Sequence, residues 1–230
     1  MSRLLAIETS SEACSVALGF DGEVLQRSYH EPRRHAELLL PSVSELLAEA
    51  SVSLSQLDAI AFGRGPGSFT SLRIGIGVVQ GLAWGSELGV VPVSSLAAVA
   101  RGAAKAHDAP EGTMVVVAMD ARMEEVFHAC FRVGESGSPV LTDIEAVGDP
   151  GSIIIPDKSN VIAAGNGFQR YDALRAISSE FDAVFPDQWP CAVDVLTLAT
   201  EWLVDHEPLP AHGAQPLYIR DNVAKKSADQ

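Results

Sequence analysis

With 230 residues, 47% of them hydrophobic and 20% charged, the chain can build one large core or two small ones and is too apolar to remain disordered. The formal net charge of −14 is uneven: residues 1–107 hold 8 Lys and Arg against 10 Asp and Glu, and residues 108–230 hold 8 against 20. Nucleic-acid affinity comes largely from cations set against phosphates, so this balance, without a basic stripe, excludes a strong unaided RNA or DNA binder.

No apolar run approaches the roughly 20 residues of a membrane helix. The N-terminus, MSRLLAIETSS, passes straight into a strand pattern without the basic-then-apolar segment of a signal peptide. Cys14, Cys130 and Cys191 form no CxxC and no metal spacing, so buried free thiols in a reducing compartment are expected. The expectation is a cytoplasmic protein that does not engage a membrane.

Leu4-Leu5-Ala6-Ile7-Glu8 reads as a short apolar strand ending on an acid. A polar turn, Thr9-Ser10-Ser11-Glu12, leads to a second strand at Cys14–Leu18, and a third lies near Glu23–Ser28. The spacing predicts a helix over His35–Ala50, with Leu38, Leu39, Val43, Leu46 and Leu47 on its apolar stripe. A strand at Asp58–Phe62, a glycine-rich loop at Gly63–Ser68, a helix at Thr70–Trp84, a strand at Val90–Val93 and a helix at Ser95–Ala106 complete this half.

Ala106–Gly112 reads as a boundary, and beyond it the first hairpin returns. Val115–Asp120 matches the first strand, Ala121-Arg122-Met123-Glu124 the turn, and Val126–Cys130 the second strand, so that Glu8 falls on Asp120 at an offset of 112 residues. Two similarly built units, 1–107 and 108–230, are expected. The second continues with a strand at Val161–Ala164, a turn at Gly165-Asn166-Gly167, a helix around Tyr171–Ser178 and a helix from Val193 to about Val204. Three strands followed by alternating helix and strand, in two copies, predict α/β domains with mixed sheets facing a cleft.

Gly63-Arg64-Gly65-Pro66-Gly67-Ser68-Phe69-Thr70 lies between strand and helix, where backbone N–H groups can face a phosphate. It matches neither G-x-x-x-x-G-K-[ST] nor G-x-G-x-x-G, so the expected role is a tight turn with Ser68 or Thr70 capping the next helix. In that helix Gly77, Gly81 and Gly85 recur every four residues. Glycine costs about 1 kcal/mol against alanine inside a helix, so the stripe implies close backbone packing, against either the chain's own sheet or another molecule. Catalytic patterns are scarce. The six histidines include no i,i+4 pair, neither HExxH nor G-x-S-x-G occurs, and Ser10, Ser11, Ser68 and Ser94 read as caps before nucleophiles.

LLAIETSSEACSVAL (4–18), HAELLLPSVSELL (35–47), GPGSFTSLRIGIGVVQGLA (65–83), the segment Ser94–Ala100, MDARMEEV (119–126) and PLYIR (216–220) resemble the bacterial TsaB family, also called YeaZ. Ser71 stands where that family usually has glycine. The resemblance implies a duplicated fold of the actin, sugar-kinase and Hsp70 class (ASKHA). It also implies a non-catalytic role in forming threonylcarbamoyladenosine beside the anticodon of ANN-decoding tRNAs. The implied partners are the catalytic paralogue TsaD, bound through the first domain, and the ATPase TsaE, with tRNA met only through the complex. No cofactor is implied.

The rival class is a metal- or nucleotide-dependent hydrolase, the glycoprotease label once given to the paralogue. That paralogue carries a His-x-x-x-His metal pair, and matching its segment to Val93–Val99 puts Ser95 and Val99 where the histidines belong, so no metal or catalytic residue is expected. Glu8-Thr9-Ser10-Ser11 lacks the glycine of a phosphate loop, and no nucleotide-binding residue is assigned. The expected partner surface is His35, Leu38, Leu39 and Leu46 on the first helix with Arg73, Gly77, Gly81 and Gly85 on the second. The same patch is expected to form a homodimer when the partner is absent.

Overall fold

The structure, a computed structural model, describes residues 2–156 and 159–220; the tail at 221–230 lies outside the described residues. The first half contributes β1 (Leu4–Glu8), β2 (Cys14–Phe20), β3 (Glu23–Tyr29), α1 (His35–Ala50), β4 (Ala59–Gly63), α2 (Phe69–Gly85), β5 (Gly89–Val93) and α3 (Ser95–Ala106). Its sheet runs β3-β2-β1-β4-β5, antiparallel across the hairpin and parallel from β1 onward.

The second half contributes β6 (Met114–Arg122), β7 (Glu125–Val133), β8 (Pro139–Leu141), β9 (Ala146–Gly148), β10 (Val161–Ala164), α4 (Gly167–Arg170), α5 (Asp172–Ala176), β11 (Ala183–Phe185) and α6 (Ala192–Trp202). Its sheet runs β8-β7-β6-β10-β11, with β9 also paired to β7. The strand order and directions of the first sheet therefore recur in the second, as two copies of one pattern. This is the duplicated actin, sugar-kinase and Hsp70-like architecture.

Alternation along the central strands assigns each face. Leu5 and Ile7 meet Leu39, Val43 and Leu46 of α1 and Val79 of α2, while Leu4 and Ala6 meet Val195, Leu196 and Ala199 of α6. In the second sheet Val115 and Val117 pack on Leu96, Val99 and Ala103 of α3, and Val116 and Ala118 on Phe168 and Leu174. Each half thus lends its last helix to the other half's sheet. A boundary at 107/108, which we retain as a proposal, separates strand sets rather than packing units.

Most predicted elements stand within one or two residues of their expected limits, and two features differ. The helix expected at Tyr171–Ser178 is broken: Tyr171 is extended (φ −103°, ψ 130°) between α4 and α5. Its hydroxyl reaches Asp120 Oδ1 at 2.6 Å and the Glu125 carbonyl at 3.1 Å, bonds that outweigh local helix propensity. The three-residue strands β8, β9 and β11 had no sequence signal, being too short for a period to show.

Candidate functional site

At the end of β1 the Glu8 side chain is fully buried. Its Oε1 accepts from the Ser10 N–H at 2.6 Å and its Oε2 from the Ser95 hydroxyl at 2.8 Å. A Cβ on Gly63 would overlap this carboxyl, so only glycine leaves room for it. Burial pushes the Glu8 carboxyl above its ordinary range, with the Ser10 and Ser95 hydrogen bonds opposing. The acid in the phosphate-loop position is therefore turned inward and sealed. Ser95 is spent on Glu8 and on the Gly65 N–H, which it accepts at 3.3 Å, and Val99 lies in the core against the second sheet. Among the described residues, no three His, Cys, Asp or Glu side chains are placed to share a metal.

Between the lobes lies a cleft of about 1070 Å³. Gly63–Ser68 forms the expected turn on one wall, closed by the Ser68 N–H on the Ser10 carbonyl at 2.7 Å. The capping expectation is corrected: Ser68 takes the N-cap position of α2 without a side-chain cap, and Thr70 lies inside the helix. Ser94 does cap α3, accepting from the Ala97 N–H at 3.0 Å.

On the opposite wall, Asp120 accepts from the Tyr171 hydroxyl and lies within 3.4 Å of Arg122 and Arg170. Burial, then the bond to Asp120 and its charge, push the Tyr171 phenol up to about 12. Arg122 also reaches Glu12 at 2.6 Å, so the two duplicated hairpin turns touch across the cleft. Arg64 meets Glu145 from the second lobe at 2.8 Å.

Residues 214–220 bridge the lobes. Gln80 Nε2 donates to the Ala214 carbonyl at 2.8 Å and the Leu217 N–H to the Arg64 carbonyl at 2.7 Å, both on the first lobe. Ile219 packs on the second core, and Arg220 pairs with Glu125. Arg73 Nε donates to the Tyr218 hydroxyl at 2.8 Å while its guanidinium lies 3.6 Å over the Phe69 ring. No sequence periodicity marks this segment, because single hydrogen bonds rather than a repeating face hold it.

The outer face of α2 decides between the two readings of its glycines. Gly77, Gly81 and Gly85 are exposed, and a Cβ on any of them would meet nothing within 4 Å. Gly75 alone faces inward, against Thr9. Trp84 is 77% exposed beside the stripe, and Leu40 of α1 is 48% exposed. The first-helix expectation is corrected here. His35, Leu39 and Leu46 are buried in the chain's own core, because the leucine stripe covers the first sheet. His35 Nε2 lies 3.1 Å from the Ser11 carbonyl and 3.3 Å from that of Ala13, tying α1 to the β1–β2 turn. Leu38 is half-buried, and Leu40 and Trp84 are the outward apolar side chains that sequence periodicity missed.

The three thiols are free, and burial raises each above its ordinary value, Cys14 to about 11. None is activated as a nucleophile.

A family model described as "TsaD: tRNA N6-adenosine threonylcarbamoyltransferase" matches residues 26–228. The chain is 50% identical to the Haemophilus influenzae tRNA threonylcarbamoyladenosine biosynthesis protein TsaB, across 97% of this chain and 95% of that protein. It is 39% identical to the Escherichia coli protein of the same name, across 97% of each. The solved structure of YeaZ from Pseudomonas aeruginosa is 41% identical, covering 95% of this chain and all of that one with a TM-score of 0.85. A second Pseudomonas aeruginosa structure, described as an uncharacterized protein with similarity to peptidase YEAZ, is 40% identical with a TM-score of 0.85.

Proposed function

The chain belongs to the TsaB family, and on that premise we propose that it is the non-catalytic partner in forming threonylcarbamoyladenosine next to the anticodon of ANN-decoding tRNAs. In this reading it docks a TsaD-like catalytic paralogue, a TsaE-like ATPase joins the pair, and tRNA is met through the assembly in the cytoplasm. Among the described residues, no helix is long and apolar enough to cross a membrane.

The observation that carries the reading is the outer face of α2. Three exposed glycines with open space above them are costly in a helix unless another backbone fills that space. A leucine-bearing ridge from a partner can settle over Gly77 and Gly81, with exposed Trp84 and Gly85 at one end of the same helix and Arg73 toward the cleft. The same face serves a homodimer when the partner is absent, so homodimer and heterodimer compete.

Catalysis is assigned to the paralogue. Here Glu8 is sealed, Ser95 and Val99 stand in the metal-histidine positions, and the cysteines hold their protons. Nothing in this arrangement favours a metal- or nucleotide-dependent hydrolase. Reconstituting tRNA modification with TsaD- and TsaE-like proteins, with and without this chain, tests the proposal. Full activity in its absence, or transfer by the chain alone, overturns it.

A further inference from the structure

In a chain of net charge −14, an arginine without an acid beside it is unusual. Of 12 arginines, nine have a carboxylate oxygen within 4.0 Å among the described residues. Arg33, Arg73 and Arg132 have none, and two of these three, Arg33 and Arg73, line the interlobe cleft. Arg33 is exposed just before α1, and Arg73 donates to an uncharged phenol. Beside Arg73 stand two aromatic rings that burial has not claimed: Phe69 is 50% exposed and Tyr218 47%, with centroids 5.5 Å apart. The Arg73 guanidinium carbon lies 3.6 Å over the Phe69 ring centroid, and the Phe69 and Tyr218 rings are tilted by 34° to each other, so cation and rings form one contiguous patch in the cleft.

Unneutralised cations interleaved with exposed rings are how proteins hold an unpaired nucleic-acid strand: bases stack on the rings and phosphates meet the arginines. An acidic peptide would use the arginines and leave the rings idle. A duplex would offer phosphates but no free base faces. We propose that the mouth of the cleft, built by Arg33, Phe69, Arg73 and Tyr218, contacts unpaired nucleotides of an RNA strand. This deepens the tRNA reading above and rests on it. Two cations without an acidic partner among the described residues supply only a small electrostatic contribution, so the contact is weak for the chain alone and becomes effective once an assembly brings the RNA there.

The test uses the full chain without partners and a fluorescently labelled single-stranded RNA oligonucleotide, read by anisotropy at low salt and then across a salt titration. Wild type is expected to bind measurably at low salt and to lose affinity steeply as salt rises. Arg33→Ala should flatten the salt dependence by about one unit of slope. Phe69→Ala should weaken binding about tenfold, whereas Phe69→Tyr, which keeps the ring, should bind as wild type. Phe69 is half-exposed, so its variants should fold, which circular dichroism checks before binding is read. No binding by wild type at low salt, unchanged binding by Phe69→Ala, or equal affinity for a duplex of the same length overturns the proposal. Complete displacement of the oligonucleotide by stoichiometric AMP also overturns it, since the cleft would then be a mononucleotide site. Arg73 borders the proposed docking face, so the variants change only Arg33 and Phe69; partner assembly, measured separately by ultracentrifugation, should be unaltered by them, and either reading can fail alone.

Discussion

The Ser95 hydroxyl donates a 2.8 Å hydrogen bond to the Glu8 carboxyl, joining the start of α3 to the end of β1 inside the core. The carboxyl does not line the cleft between the lobes. Here it is folded inward and shielded by Ser10, Ser95 and the bare α-carbon of Gly63. Ser95 is held in the core on both counts, its hydroxyl donating to Glu8 and its oxygen accepting from the Gly65 N–H at 3.3 Å.

Gly63→Ala should therefore be strongly destabilising, by about 3 kcal/mol or more, since the new methyl group overlaps a buried carboxyl that has no room to turn aside. Urea denaturation checks it. A midpoint within error of wild type would mean that the Glu8 side chain has another place to go.

On the proposed alignment that sets Ser95 and Val99 against the paralogue's histidine pair, and with no three metal-binding side chains gathered among the described residues, the purified chain should hold no stoichiometric zinc or iron. It should also not transfer the threonylcarbamoyl group unaided. Restoring the pair with Ser95→His and Val99→His should unfold the chain rather than create a site, because both positions are buried and Val99 packs against the second sheet. Elemental analysis showing about one metal ion per wild-type chain would contradict this account.

Much of this was legible in the sequence, for a physical reason. Hairpins and amphipathic helices write their period into the chain, so α1 and the repeat of β1–β2 in β6–β7 could be read directly. A period reveals that a face is buried, not what buries it. Leu39 and Leu46 looked available to a partner because nothing local says that their own sheet takes them. The exchange of α3 and α6 was equally silent, since an apolar helix face suits either sheet. The cleft mouth was illegible because Arg33 and Tyr218, 185 residues apart in the chain, come to line one cleft only through the fold.

Burial pushes the Asp194 carboxyl up to about 6 from an ordinary 3.8, against the pull of Arg101 and Lys105. Arg101 Nε lies 3.8 Å from it and lacks a hydrogen-bond partner, so the pair is weakly made. The folded state holds the proton more tightly than the unfolded one. The contribution of this carboxyl to stability is therefore most favourable below about pH 4, falls as pH rises to about 6, and is level above that, a loss of about 2–3 kcal/mol. Asp194→Asn should remove this slope, raising thermal stability at pH 8 while leaving it near wild type below about pH 4. A variant less stable than wild type at pH 8 would show that the Arg101 pair outweighs the cost of burial.

Gly81 separates folding from association. Nothing lies within 4 Å of its would-be Cβ, so the monomer has room for any side chain there. Alanine improves helix propensity by about 1 kcal/mol, so Gly81→Ala should stabilise the monomer against urea by about 0.5–1 kcal/mol. If a partner backbone rests on this face, the same methyl group should weaken association, and Gly81→Leu should cost several kcal/mol of it by holding the backbones apart. The signature is opposite signs from one substitution, a better-folded chain that pairs less well. Urea denaturation reads the first effect, and analytical ultracentrifugation of the homodimer and of the complex with a TsaD-like protein reads the second. A folded Gly81→Leu variant that forms both at wild-type affinity would remove Gly81 from the interface and move the docking face off α2.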